Sequence, residues 1–391
     1  MDSHSSVKRM LDVSFSETMK ISKLAGDMEE DGADIISLAV GEPDFDTPDF
    51  IIESAYQAMK DGFTHYTNSQ GITELREAIA KKSREENDLD FSSENILVTP
   101  TKQAIFMSVL AHLDDGAEVI LSDPAWVSYK PIVKFADGIV RRAPVDEHDF
   151  SLDPEVLKEK ISSRTKMIIL NSPNNPTGKK LDKQDMKAIR DIAIDNDLLV
   201  ITDEVYEKLV FEGEHISLGS LDGMRDRTIT VNGFSKAYAM TGWRLGWAAC
   251  SEELLENIAK IQTHSITCAT SFAQKAGLEA LTNKEKADEA IDHMVSRYKE
   301  RRELIVKRLN EIEGFSCSKP DSTFYTFPEF DFDMDSMELS MHLLEDAKVA
   351  TTPGSAFGDK GENHLRLSFA NSLDNIKEAM DRIESTVAEL G

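Results

Sequence analysis

Between about residue 95 and residue 250, short unbroken apolar runs alternate with stretches whose apolar positions recur every three or four residues. The runs are NILVTP (95–100), EVILSD (118–123), KMIILNSP (166–173), LLVITDE (198–204), TITVNGFS (228–235) and RLGWAAC (244–250). KQAIFMSVLAHL (102–113) and DKQDMKAIRDIAIDND (182–197) are amphipathic stretches between them. Strands buried on both faces read as continuous apolar runs, and helices of this kind cover those faces. The pattern therefore predicts an α/β fold with a mostly parallel sheet between helices. In such sheets ligands lie beyond the carboxyl ends of the strands.

The pattern changes after residue 282. NKEKADEAIDHMVSRYKERRELIVKRLNEIEG (283–314) is one long charged helical stretch, followed by strand-like TFYTF and HLRLSFA and by helical stretches at 336–348 and 373–389. This change predicts a large domain over 49–284 and a smaller α+β domain made of 1–48 and 285–391, with the long helix as bridge. No internal repeat is present.

Composition narrows the function. Hydrophobic residues make up 40% and charged residues 29% of 391 positions, the balance of a globular protein. With 44 basic and 71 acidic residues the net charge is −27, which argues against a nucleic-acid partner. The apolar runs are too short to span a bilayer, and the N-terminus lacks a signal-peptide core, so no membrane association is expected. Cys250, Cys268 and Cys317 stand apart without a CxxC pair, which fits a reducing, cytoplasmic compartment. The histidines show no HxxxH or HxH spacing, so no metal is expected. No Gly-x-Gly-x-x-Gly follows a strand and no Walker lysine is present, which disfavours nucleotide cofactors.

The polar residues at strand ends remain. Asn175 lies in NSPNNPTG (171–178), Asp203 and Tyr206 in TDEVY (202–206), and Lys236 and Arg244 in NGFSKAYAMTGWRLGW (232–247), a mostly apolar segment in which both cations are expected to be buried. Each has a plain structural explanation: a tight turn, a cap, a snorkelling lysine, a salt bridge. Taken together they supply a lysine nucleophile, a cation for a phosphate and an acid for a ring nitrogen. Those are the groups that pyridoxal phosphate requires.

At this point the chain resembles a known family. SLAVGEPDFDTP (37–48), HYTNSQGITELREAIA (65–80), DPAWVSY (123–129), NSPNNPTG, TDEVY, FSKAYAMTGWRLGW, PGSAFG (353–358) and HLRLSFA (364–370) occur in the order found in class I aminotransferases of pyridoxal-phosphate fold type I. The resemblance is to the prokaryotic aspartate aminotransferase branch. It implies a ping-pong transfer of the amino group of an L-amino acid, aspartate favoured, to a 2-oxo acid such as 2-oxoglutarate.

It also implies roles. Lys236 bonds the cofactor and shuttles the substrate's proton, and Asp203 pairs with the pyridine nitrogen. Asn175 and Tyr206 hydrogen-bond the ring oxygen, while Trp126 stacks on the ring. Arg244, Ser235, Thr101 and Lys102 belong to the phosphate and cofactor contacts. Arg366 grips the α-carboxylate, with Gly41, Trp126 and Asn175 beside the substrate. Tyr66 reaches the phosphate of a neighbouring subunit, which makes the expected active unit a homodimer with shared sites.

Two positions depart from the family pattern. Pro100-Thr101 stands where many relatives have Gly-Ala or Gly-Gly, and Gly233 where some have a phosphate-binding Ser. No second cation for a side-chain carboxylate stands out; Lys20, Ser16, Thr18 and His264 are the candidates near the pocket, and Glu17 opposes one. An aromatic or broad-specificity aminotransferase and a lyase of the same fold remain alternatives, because cofactor residues are shared among these activities.

Overall fold

The computed structural model describes residues 17–390 together with Met10 and Val13; Ser16 and the side chains of Glu17 and Thr18 lie outside the described residues. Its centre is a seven-stranded sheet of β1 (Ile96–Val98), β2 (Glu118–Asp123), β3 (Ile139–Pro144), β4 (Thr165–Asn171), β5 (Leu199–Asp203), β6 (Thr228–Gly233) and β7 (Gly246–Ala249). Spatially the strands run β1-β7-β6-β5-β4-β2-β3. Strands β2 to β6 pair in parallel, whereas β7 runs antiparallel to both β6 and β1. Every residue of β1, β6 and β7 is buried, so these strands have no polar face to alternate.

Helices cover both faces. On one, Ala104, Ile105, Met107 and Val109 of α1 (Thr101–His112) pack with Val119, Leu121, Ile169, Ile229 and Val231. On the other, Met186, Ile189 and Ile192 of the helix Lys183–Asp195 meet Ile120, Ile168, Leu170 and Val200. Odd and even residues of one strand thus serve opposite cores, as the pleat requires.

The charged stretch at 283–314 forms the 28-residue helix α2 (Lys284–Glu311). Beyond it, Tyr325–Thr326, Leu365–Ser368 and Thr352–Pro353 make a three-stranded antiparallel sheet. The strand Ile36–Ser37 pairs in parallel with Val349–Ala350, so the N-terminal and C-terminal stretches meet. The helical stretch at 336–348 is an α-helix over Ser336–His342 that widens into one π turn, Leu343–Ala347. No helix among the described residues is long and apolar enough to cross a membrane.

Candidate active site

Three neighbouring strands deliver the central groups. Asp203 is the last residue of β5, Asn175 lies four residues beyond the end of β4, and Lys236 three beyond the end of β6. In register, Asn171 lies beside Asp203 and Asp203 beside Val231. Apolar side chains hold the three strands in that register, and the polar chain ends emerge on one edge. There they line a cavity of about 360 Å³.

The cavity collects Gly41, Thr101, Lys102, Trp126, Asn175, Asp203, Tyr206, Ser235, Lys236, Arg244 and Arg366. Tyr66, which the family resemblance assigns to a neighbouring subunit's site, stands outside it and is 86% exposed. Lys20 and His264 are exposed and do not line it.

Lys236 Nζ donates to the Gly41 carbonyl oxygen at 2.5 Å and lies 5.6 Å from the Tyr206 ring centre. Burial, together with the nearby Arg366 and Arg244 cations, pulls its pKa down to about 8, against the opposing pull of Glu42 and Asp203. Asp203 shows the complementary effect. Burial pushes its carboxyl up to about 6, while hydrogen bonds from the Tyr129 hydroxyl and the Val205 backbone N–H hold it down. An acid and an amine sharing one desolvated cavity are thereby both brought towards neutrality.

Arg366 is buried and held from several sides. Its Nη1 donates to Asn175 Oδ1 at 3.1 Å, and its Nη2 to the Ala39 carbonyl at 2.6 Å and to Thr352 Oγ1 at 3.3 Å. The Tyr325 ring centre lies 4.6 Å from the guanidinium, and Nε has no partner. A buried guanidinium with no carboxylate within ion-pair distance among the described residues is suited to an anion.

Arg244 corrects a sequence expectation. Its apolar surroundings suggest burial, yet the side chain is exposed at the cavity. The residue adopts φ 56°, which breaks the chain direction between two apolar runs and turns it outward; Nη1 donates to the Thr241 carbonyl at 2.7 Å. Thr101 opens α1 after Pro100, which offers no side-chain cap, so the backbone N–H groups of the first turn are free for an anion. The departures at Thr101 and Gly233 fit each other, because a Cβ on Gly233 would overlap the Thr101 hydroxyl.

Four further residues belong to the site and escaped sequence reasoning. The Tyr325 hydroxyl is 2.9 Å from the Tyr206 hydroxyl, and the Tyr129 hydroxyl donates to Asp203 Oδ2 at 2.9 Å. Asn171 Oδ1 accepts the Asn175 N–H at 2.8 Å and Nδ2 donates to the Asp203 carbonyl at 2.9 Å. Glu42 accepts from Thr241 Oγ1 at 2.9 Å. Tyr129 ends DPAWVSY and Tyr325 lies within TFYTF, but local sequence marks neither as functional.

The profile of the aminotransferase class I and II family matches residues 33–383. The chain belongs to that family. It is 44% identical over 379 residues, 96% of each chain, to an aspartate aminotransferase of Pyrococcus abyssi. It is 42% identical, again over 96% of each chain, to an aromatic-amino-acid aminotransferase 2 of Thermococcus litoralis. A Thermus thermophilus aspartate aminotransferase solved with maleate superposes with a TM-score of 0.94 at 38% identity, covering 98% of this chain and 100% of that one.

Aminotransferases of this family depend on pyridoxal phosphate, and the cavity suits it. Among the described residues Lys102, Lys236, Arg244 and Arg366 face it against Asp203 and Glu42, an excess of two positive charges in a molecule of net charge −27. Such an imbalance in a partly desolvated space calls for an anionic occupant. A free amine, a buried acid and an uncapped helix start complete the set that the cofactor's aldehyde, ring nitrogen and phosphate need.

Proposed function

We propose that this aminotransferase takes its amino group from a dicarboxylic L-amino acid, aspartate first, and passes it to a 2-oxo acid such as 2-oxoglutarate in a ping-pong cycle. The observation that carries this reading is Lys102. Its ammonium lies 4.7 Å from the Trp126 ring centre and has no carboxylate within ion-pair distance among the described residues. Burial and the Arg244 cation lower its pKa. Arg366 and Lys102 thus give the cavity two separate cations, as a substrate with two carboxylates requires. The aspartate aminotransferases among the relatives favour the same choice.

Bound pyridoxal phosphate supplies an aldehyde that captures amines and a ring that accepts the electron pair left on the substrate's Cα. The protein does the rest. Lys236 Nζ, with its pKa near 8, has a neutral fraction at physiological pH that accepts the Cα proton and later returns it. Asp203, charged above about pH 6, is assigned to the ring nitrogen. Asn175 and Tyr206 are assigned to the ring oxygen, and Trp126 to the ring face. Arg244, Ser235 and the first-turn N–H groups of Thr101 and Lys102 are assigned to the phosphate. Arg366 orients the α-carboxylate, with Gly41 leaving room beside it.

Three organisational readings accompany this one. The site would lie between a large part (49–284) and a small part (1–48 with 285–391), which is supported by Arg366 and Lys236 coming from different parts. The exposed Tyr66 supports a homodimer in which it serves the partner's site. Three free cysteines, Cys250, Cys268 and Cys317, support a reducing, cytoplasmic location.

A second reading, turnover of aromatic amino acids, draws on the apolar lining of Met19, Ile105 and Trp126 and on the Thermococcus relative. Initial rates with aspartate, phenylalanine and alanine decide between the two. Lys102→Met should lower kcat/KM for aspartate by roughly ten- to a hundredfold, the worth of a charged hydrogen bond, and leave phenylalanine unchanged. A wild type that prefers phenylalanine, or an equal loss for both donors, rules out the dicarboxylate reading.

A further inference from the structure

A second cavity, of about 780 Å³, adjoins the first, and Lys102 lines both. Its walls are α1, the helix Tyr129–Phe135, β3 and the loop around Gly358. Among the described residues four cations line it, Lys102, Lys130, Lys134 and Arg142, against one carboxylate, Asp359. This inverts the balance of the whole molecule, in which acids exceed bases by 71 to 44.

Several lysines elsewhere are neutralised by neighbouring acids, as Lys158 is by Glu155 at 2.6 Å and Lys260 by Glu256 at 2.9 Å. Lys130 and Lys134, one helical turn apart, have no carboxylate within ion-pair distance among the described residues. Arg142 is partly spoken for, with Asp123 at 3.8 Å and the Phe357 carbonyl at 2.9 Å. The segment 124–143 contains Lys130, Lys134, Arg141 and Arg142 and a single acid, Asp137, so its charge is 4 − 1 = +3.

A dianion approaching a surface of net charge −27 is repelled almost everywhere. A concave wall of one sign focuses the field and raises the local concentration of the opposite ion. We propose that this groove is the approach path for the dicarboxylate, with Lys130 and Lys134 concentrating the anion and Lys102 handing it on to the catalytic cavity. The inference rests on the dicarboxylate reading above and adds a residue pair that touches neither the reacting atoms nor the site that holds them.

Stopped-flow association of succinate and of butyrate with the holoenzyme, read by the change in its visible absorption, tests it, because an approach path acts on the association rate and neither probe depends on turnover preference. In about 0.01 M salt, where the screening length is ~30 Å, Lys130→Glu/Lys134→Glu should slow succinate association about tenfold. Butyrate carries half the charge and should lose about the square root of that factor, roughly threefold. The kcat should stay within about twofold, and the difference should close in ~1 M salt, where screening cuts the range to ~3 Å. The neutral pair Lys130→Gln/Lys134→Gln should fall between. The control Lys260→Glu/Lys299→Glu changes the net charge equally on other exposed helical positions. An equal loss in that control, a loss that persists at high salt, or an unchanged succinate-to-butyrate ratio overturns the groove. A wild type that binds butyrate better than succinate overturns the dicarboxylate reading alone, since the groove is judged on how the ratio moves.

Discussion

The Tyr129 hydroxyl donates a 2.9 Å hydrogen bond to Asp203 Oδ2, with both side chains buried. It is one of two hydrogen bonds that favour the charged carboxylate against burial, the other coming from the Val205 N–H. Tyr129→Phe should therefore raise the Asp203 pKa further above about 6. The acid limb of the kcat/KM profile should move up by about half a unit to one unit, the worth of one neutral hydrogen bond. A pH profile between 5 and 9 reads this, and an acid limb that stays in place would detach Tyr129 from the chemistry.

Asp203 also has a cost. Its folded pKa, about 6, lies above the ordinary 3.8, so its favourable contribution to folding is present below pH about 4 and lost as pH rises through about 6. At pH 8 the cofactor-free protein bears the full penalty, at most about 3 kcal/mol for a shift of this size. Asp203→Asn should raise the thermal midpoint of the cofactor-free protein at pH 8 by about 2–3 °C. The same change should weaken cofactor binding. Calorimetry of the stripped protein at pH 8 and at pH 4 checks the sign, because the gain should vanish at the lower pH.

Lys236 makes a prediction that needs no turnover. With its pKa lowered to about 8, its reductive methylation in the cofactor-free protein should rise through a midpoint near pH 8, while surface lysines respond near 10.4. Arg366→Gln removes one of the repelling cations and should move that midpoint upward. Peptide mass spectrometry of the two proteins across pH 6–11 decides it; a wild-type midpoint near 10 would remove the basis for Lys236 as a base at neutral pH.

A Cβ at position 41 would stand 2.7 Å from the Tyr325 hydroxyl, which itself pairs with Tyr206 at 2.9 Å. Gly41→Ala should displace the tyrosine pair and lower kcat/KM by about tenfold or more, a cost within the range of overpacking. Tyr325→Phe in the same chain removes the colliding oxygen and should recover part of the loss. Double-mutant kinetics measure the coupling, and strict additivity would mean that the two residues do not meet.

The strands and the groups at their ends were legible because both depend on local pattern. Asn175, Asp203 and Lys236 each follow an apolar run, and a parallel sheet sends such residues to one edge. The antiparallel course of β7 was not legible, since four buried apolar residues read the same in either direction. Tyr325 and Tyr129 were missed for a different reason. Their partners Tyr206 and Asp203 lie 119 and 74 residues away in the chain, and no spacing rule reaches that far. The exposure of Arg244 was not legible, because its neighbours are apolar and one left-handed residue suffices to turn a side chain out of such a run.

The register of β4, β5 and β6 has a meaning in time as well as in space. Asn171, Asp203 and Val231 become neighbours only when segments 32 and 28 residues apart have docked, and a slip of one residue would send Asp203 through the sheet to the opposite face. No partly assembled sheet can hold a partial site. During refolding, then, capture of the cofactor should appear in step with the last strand pairings, which makes its visible colour a clock for completion of the sheet.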